Sequence, residues 1–203
     1  MCMNANNMYN IEKQSGFALL ISLIVVGVVI SIGLSILDLS IKQVRLSSNA
    51  TESELAFHAA NAGMECARYW RRKDADLIEG GLPISPTCFD RLPDENIKTQ
   101  VPTLNVVGDG VVFQYEYDFT WGTGTEVRCT SVNMVAASPI LLGQGVTTTD
   151  MTTLIRGYPN QDGNSTHCAA GSQCTTISVQ GYNVQCDNKD GYGVAQREVL
   201  VEF

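Results

Sequence analysis

Hydrophobicity along the chain is concentrated in one place. Residues 17–37 carry no charge and no proline, and only Ser22, Gly27, Ser31, Gly33 and Ser35 interrupt the Leu, Ile, Val, Ala and Phe. As a helix at ~1.5 Å per residue this run reaches about 32 Å, enough to cross a hydrocarbon core of about 30 Å. The buried helix of a soluble domain is a poorer fit, because such helices seldom exceed about 14 residues without a charge. A secretory signal peptide fits poorly too. It calls for an apolar stretch of about 7 to 15 residues and then an A-x-A-like site, whereas this run passes into Leu37-Asp38-Leu39-Ser40-Ile41-Lys42. The flanking charges, Lys13 before and Lys42 and Arg45 after, do not fix an orientation.

Beyond the run, apolar or small residues continue at Leu37, Ile41, Val44, Ser48, Thr51, Leu55, Ala59, Ala62, Cys66 and Tyr69, in helical steps of three and four. The first proline is Pro83, so the spacing predicts one helix over residues 17–72, about 84 Å long at ~1.5 Å per residue. Arg68, Arg71, Arg72 and Lys73 suit its C-terminal end, and Gly80-Gly81 follow. Residues 74–110 hold four of the six prolines and read as a connecting loop. Phe113, Tyr115, Tyr117, Phe119 and Trp121 then alternate with polar residues, which is a half-buried strand. Residues 127–135 return after Gly122-Thr123-Gly124, and their alternation changes phase near Ser131, where a bulge would be one explanation. Residues 137–171 are turn-rich and give no clear element. Residues 175–186 and 194–203 read as a terminal hairpin around 187–193. The fold class predicted is α+β: a long N-terminal helix, membrane-spanning in its first half, whose second half covers one face of an antiparallel head over residues 111–203.

The net charge of −8 and the scattering of 13 Lys and Arg argue against a nucleic-acid binder, since phosphate affinity needs a concentrated basic face. Only Arg68, Arg71, Arg72 and Lys73 cluster, a patch that could touch DNA locally. Six of the seven cysteines lie beyond the apolar run and Cys2 lies before it, which suggests disulfides in an oxidising compartment. Zinc is disfavoured by the lack of any C-x2-C or H-x3-H pair. Six cysteines allow fifteen connectivities. Proximity favours Cys66 with Cys88, tying the helix end to the loop after it, and Cys168 with Cys174, leaving Cys129 with Cys186 to link two strands.

The informative junction is Lys13-Gln14-Ser15-Gly16-Phe17-Ala18-Leu19-Leu20, where a short polar leader meets a Gly and then a Phe that opens the span. Here the chain resembles a type IV prepilin. The resemblance implies that residues 1–16 are a leader removed by prepilin peptidase after Gly16, and that Phe17 becomes an N-methylated first residue. A Gly before the cut allows close backbone approach. Glu54-Leu55-Ala56-Phe57-His58-Ala59-Ala60-Asn61-Ala62-Gly63-Met64-Glu65 is similar to the helix segment of PilX-type minor pilins. The implied partners are other major and minor pilins, the peptidase, an inner-membrane assembly platform and, before assembly, membrane lipid. The implied location is the inner membrane and then an extracellular filament. Major pilins usually carry Glu at the fifth mature position. Ile21 stands there instead, which favours a minor subunit at or near the tip.

Catalytic chemistry has thin candidates. His58 and His167 sit in no nucleophile motif, and G-x-S-x-G, H-E-x-x-H and P-loop patterns are absent. An EF-hand reading of residues 186–191 would put Cys186 where the first carboxylate belongs, so a turn is expected there. The aromatic strand could serve as a stacking platform for sugars or bases, but one face of a strand is more often core. No enzyme, cofactor or metal is expected. The rival readings are a minor pseudopilin of a type II secretion or competence system and, from another class, a single-pass adhesin or hydrolase with a plain anchor.

Overall fold

Helix α1 runs unbroken over Ser15–Lys73 in the computed structural model, which describes residues 15–124, 127–159 and 164–203. The expected leader therefore lies outside the described residues up to position 14, as does Cys2. The chain divides into two compact units, Met1–Asn49 and Ala50–Phe203. In the first, every large apolar side chain described from Phe17 to Leu46 is exposed.

In the second unit, the last turns of α1 and the short helix α2 (Ala75–Glu79) cover one face of a five-stranded antiparallel sheet. Its strands are β1 (Glu95–Gln100), β3 (Gly110–Trp121), β4 (Arg128–Pro139), β7 (Cys174–Tyr182) and β8 (Gln196–Glu202), in the spatial order β1-β3-β4-β7-β8. The helix-facing side is built from cross-strand rows. Tyr115, Met134, Ile177 and Val201 form one, and Tyr117, Val132, Val179 and Val199 the next. These rows are large, so the helix meets them mostly with small residues: Ala56, Ala59, Ala60, Gly63 and Ala67 are buried, with Met64 the one large side chain among them. The seam thus lies about one residue round the helix from the predicted stripe. Of that stripe, Ala59 is buried, Leu55, Ala62 and Cys66 are half-buried and Tyr69 is exposed. Space against the aromatic rows, rather than hydrophobicity alone, selects the face.

The opposite side of the sheet is covered over half its length. A second, three-stranded sheet, β2 (Val106–Gly108), β5 (Val146–Thr148) and β6 (Thr166–Cys168) in the order β2-β5-β6, contributes to this cover, with the single-turn helix α3 (Met151–Leu154) beside it. Val112, Val135 and Ala137 of the large sheet pack there with Val146, Met151, Leu154 and Ile155.

Three expectations are corrected by this arrangement. No bulge occurs at Ser131, because β3 and β4 pair without interruption from Gly110↔Pro139 to Trp121↔Arg128. The apparent phase change arises because β4 is covered on both sides near its ends: Cys129 packs with Tyr182 and Cys186, while Val135 and Ala137 lie in the second cluster. Residues 74–110 are not simply a loop, since α2, β1 and β2 fall within them. Every residue of β1 is exposed, so it shows no alternation to read. The terminal strands also stop short: β7 ends at Tyr182, and Cys186 sits in a 3-10 turn over Cys186–Asn188.

Candidate functional site: the apolar helix and its junction

Gly16 and Phe17 both lie inside α1, exposed, with Phe17 at 70% of its full accessibility. A Cβ added to Gly16 meets nothing within 4 Å. The fold therefore places no packing demand on a glycine there, and in a helix Gly is unfavourable by about 1 kcal/mol relative to Ala.

The helix is long and apolar enough to be a single membrane span. Two of the three serines in the apolar run bond within the helix. Ser22 donates to the carbonyl of Leu19 at 2.8 Å, and Ser35 donates to that of Ser31 at 2.9 Å. A hydroxyl bonded to its own backbone costs less in hydrocarbon than one left bare. Ser40 repeats the pattern on Ile36. The first charges, Asp38 and Lys42, form an i,i+4 pair at 2.8 Å, where the apolar run ends.

At the other end of α1 the structure brings together the expected cysteines. Cys66 is bonded to Cys88, Cys129 to Cys186 and Cys168 to Cys174, with Cα separations of 6.0, 4.8 and 5.7 Å. The first bond fixes the end of α1 to the following loop, and the Trp70 Nε1–H beside it donates to the Thr87 carbonyl at 3.0 Å. The second differs from expectation in joining a strand to the 3-10 turn.

Other candidate groups are spent on structure. Arg71 pairs with Glu79 at 3.1 Å and donates to Thr175 Oγ1. Arg68 pairs with Glu65, and the Lys73 ammonium lies 4.0 Å from the centroid of the Trp70 ring. Two of the four clustered cations are thus tied to neighbouring carboxylates and a third rests on an aromatic face. His58 is exposed beside Glu54, and His167 contacts Thr147 Oγ1 through Nδ1. Phe113, Tyr115, Tyr117 and Phe119 are buried, so this strand face is core and offers no stacking platform. Burial pushes the Tyr115 hydroxyl up to about 12, with the Arg71 charge opposing.

Comparison with family models, with curated proteins and with solved structures finds no match.

Proposed function

We propose that the chain is a minor pilin. It is made as a prepilin, cleaved after Gly16 and methylated on Phe17, held in the inner membrane by residues 17–37 with its head on the extracytoplasmic side, then drawn into a type IV filament. It acts as a structural subunit rather than an enzyme. Its partners are other major and minor pilins, prepilin peptidase and the assembly platform, and it has a role in initiating assembly or in adhesion. The observation that carries this reading is the continuity of α1. One helix has an exposed apolar half that begins at the Gly-Phe junction and a second half that forms part of the core of the head. An anchor alone would not need to be uninterrupted with the head's core helix. A subunit that polymerises through its helix does.

The mature N-terminus tests it. N-terminal mass spectrometry of the exported protein is expected to find methyl-Phe at position 17. Gly16→Val is expected to leave a species about 1.9 kDa heavier, the mass of sixteen leader residues. Because a side chain at position 16 meets nothing in the fold, such a block reports recognition by the peptidase and not misfolding. An intact Met1 in the wild type would favour a plain anchor.

A further inference from the structure

The uncovered half of the large sheet's outer side carries a second candidate site, in a part of the molecule unrelated to the processing junction. Two cross-strand rows form its floor: Glu116, Asn133 and Ser178, and next to them Asp118, Ser131 and Gln180. The covering segment ends at this boundary. Ile155 belongs to the second core cluster, while Arg156, the next residue, reaches the rim of the floor. On another side, Lys189 from the turn after Cys186 pairs with Asp118, and Glu95 of β1 completes the wall. The cleft between these walls is open to solvent on one side and measures about 220 Å³.

Its floor is unusual for a solvated strand face because it is recessed and already organised. Asp118 and Ser178 are buried, and Glu116, Ser131, Asn133 and Gln180 are half-buried. The Asn133 amide donates to Glu116 Oε1 at 3.2 Å and to the Leu154 carbonyl at 2.7 Å, while Gln114 donates to the same two acceptors. Gln180 Oε1 accepts from the Tyr182 hydroxyl at 2.7 Å, which leaves the amide N–H groups as the donors Gln180 can offer a ligand. The side chains of Ser131 and Arg156 make no hydrogen bond among the described residues. Burial, and then the charges of Asp118 and Glu95, raise the pKa of Glu116, with Lys189 opposing. Burial works against the Lys189 ammonium, but its bond to Asp118 outweighs that and raises its pKa.

The donors and acceptors are intermixed, and this decides the ligand class. Carboxylates at positions 95, 116 and 118 repel an anion. Arg156 and Lys189 offset two of these three charges, so little is left to hold a cationic side chain, and among the described residues no three His, Cys, Asp or Glu side chains converge to hold a metal ion. An apolar ligand would strand the floor's polar groups without partners. A neutral polyhydroxylated compound meets all these conditions, because each hydroxyl donates to a carboxylate while accepting from an amide, guanidinium or serine. We propose that this cleft binds one ring of a neutral saccharide, with Glu116 and Glu95 accepting from its hydroxyls and Arg156, Gln180 and Ser131 donating to them.

Saturation-transfer NMR on the full chain in detergent tests this with the methyl glycosides of glucose, galactose, mannose and N-acetylglucosamine, and with Nα-acetyl-lysine amide as a cationic probe. At least one glycoside is expected to bind, and Arg156→Ala and Gln180→Ala are each expected to weaken it at least tenfold. Arg156 is exposed, so its loss leaves the fold intact, and circular dichroism of both variants checks this. Failure of all four glycosides to bind, binding that survives both substitutions, or selective binding of the lysine probe would each overturn the proposal. Because the readout is binding to the head, its failure leaves the N-terminal processing result untouched, and the converse also holds.

Discussion

Gly181 of β7 lies directly against the backbone of α1 at Ala56: a methyl group built on it would overlap the Ala56 carbonyl oxygen and the Ala60 nitrogen. The obstacle is backbone, not a side chain that can turn aside. Gly181→Ala must therefore push the helix off the sheet, and is expected to cost about 3 kcal/mol, the upper end of the overpacking range. Urea unfolding of the detergent-solubilised chain would measure this. Gly27→Ala, where an added Cβ meets nothing, serves as the control and should not lower the midpoint, since Ala is favoured over Gly within a helix.

Two neighbouring tyrosines should respond oppositely to loss of their hydroxyls. The Tyr115 hydroxyl donates toward the carbonyls of Ile78 and Leu82, each at 3.1 Å. Tyr117 is buried with no partner for its hydroxyl among the described residues. Tyr115→Phe is expected to destabilise by about 1 kcal/mol, and Tyr117→Phe to be neutral or stabilising, because it removes a buried polar group that gains nothing. Equal losses in urea denaturation would contradict this account.

Alkaline pH acts on the same pair. Burial raises both hydroxyls, that of Tyr115 from 10.0 to about 12. A group whose folded pKa is raised contributes stability that is complete below its unfolded pKa and disappears as pH climbs through the folded value. Stability should therefore be flat up to about pH 10 and fall between about pH 10 and 12, and the tyrosinate absorbance of these residues should rise together with loss of structure. Ionisation of all seven tyrosines well before any unfolding would refute the assignment.

The three disulfides close loops of different length, with sequence separations of 57, 22 and 6 for Cys129–Cys186, Cys66–Cys88 and Cys168–Cys174. Chain-entropy arithmetic gives about 4, 3 and 2 kcal/mol respectively. Paired Cys→Ser variants should lose stability in that order. Peptide mapping of natively exported protein without reductant would check the pairing itself, and free thiols at Cys66 and Cys88 would refute the first pair.

If the chain is the minor pilin proposed above, Ile21 bears on its position in the filament. By resemblance to pilins, a Glu at this place would pair with a neighbour's N-terminal ammonium, and an unmatched charge in apolar surroundings costs several kcal/mol. Asp38 cannot substitute, being far along the helix and already paired with Lys42. A subunit with no neighbour above it leaves no ammonium unmatched, so labelled heads imaged on sheared filaments should appear at or near tips in few copies. Ile21→Glu should raise copy number and spread the label along the shaft. Unchanged number and placement would defeat the charge argument.

What was legible in the sequence followed from strong periodicity. The aromatic alternation over residues 113–121 marks β3 because only one of its faces meets the helix along its length. β1 is an exposed edge strand of polar residues around a lone Ile97, and nothing in Glu95–Gln100 distinguishes it from the proline-rich loop around it. The helix seam could not be placed within one residue, since Ala59 and Ala62 look alike until the Tyr115 and Tyr117 rows demand small partners. The cleft was invisible for a different reason. Glu116 and Asp118 look like an ordinary solvated face, and the groups that wall them in, Arg156 and Lys189, come from a turn-rich stretch and a terminal turn with no local signal of their own.

The bond between Cys66 and Cys88 has a mechanical consequence. When the chain is pulled from its two ends, tension entering along α1 crosses from residue 66 to residue 88 through the sulfurs, and the 21 residues between them carry none of it. The Cys129–Cys186 bond does the same for the residues between its ends, including the centre of the large sheet. Only residues before 66, from 88 to 129 and after 186 can lengthen under load. A stretched molecule should therefore yield far less contour length than 203 residues imply, and adding reductant should release the rest in three further increments, the smallest from the Cys168–Cys174 loop nested within the Cys129–Cys186 loop.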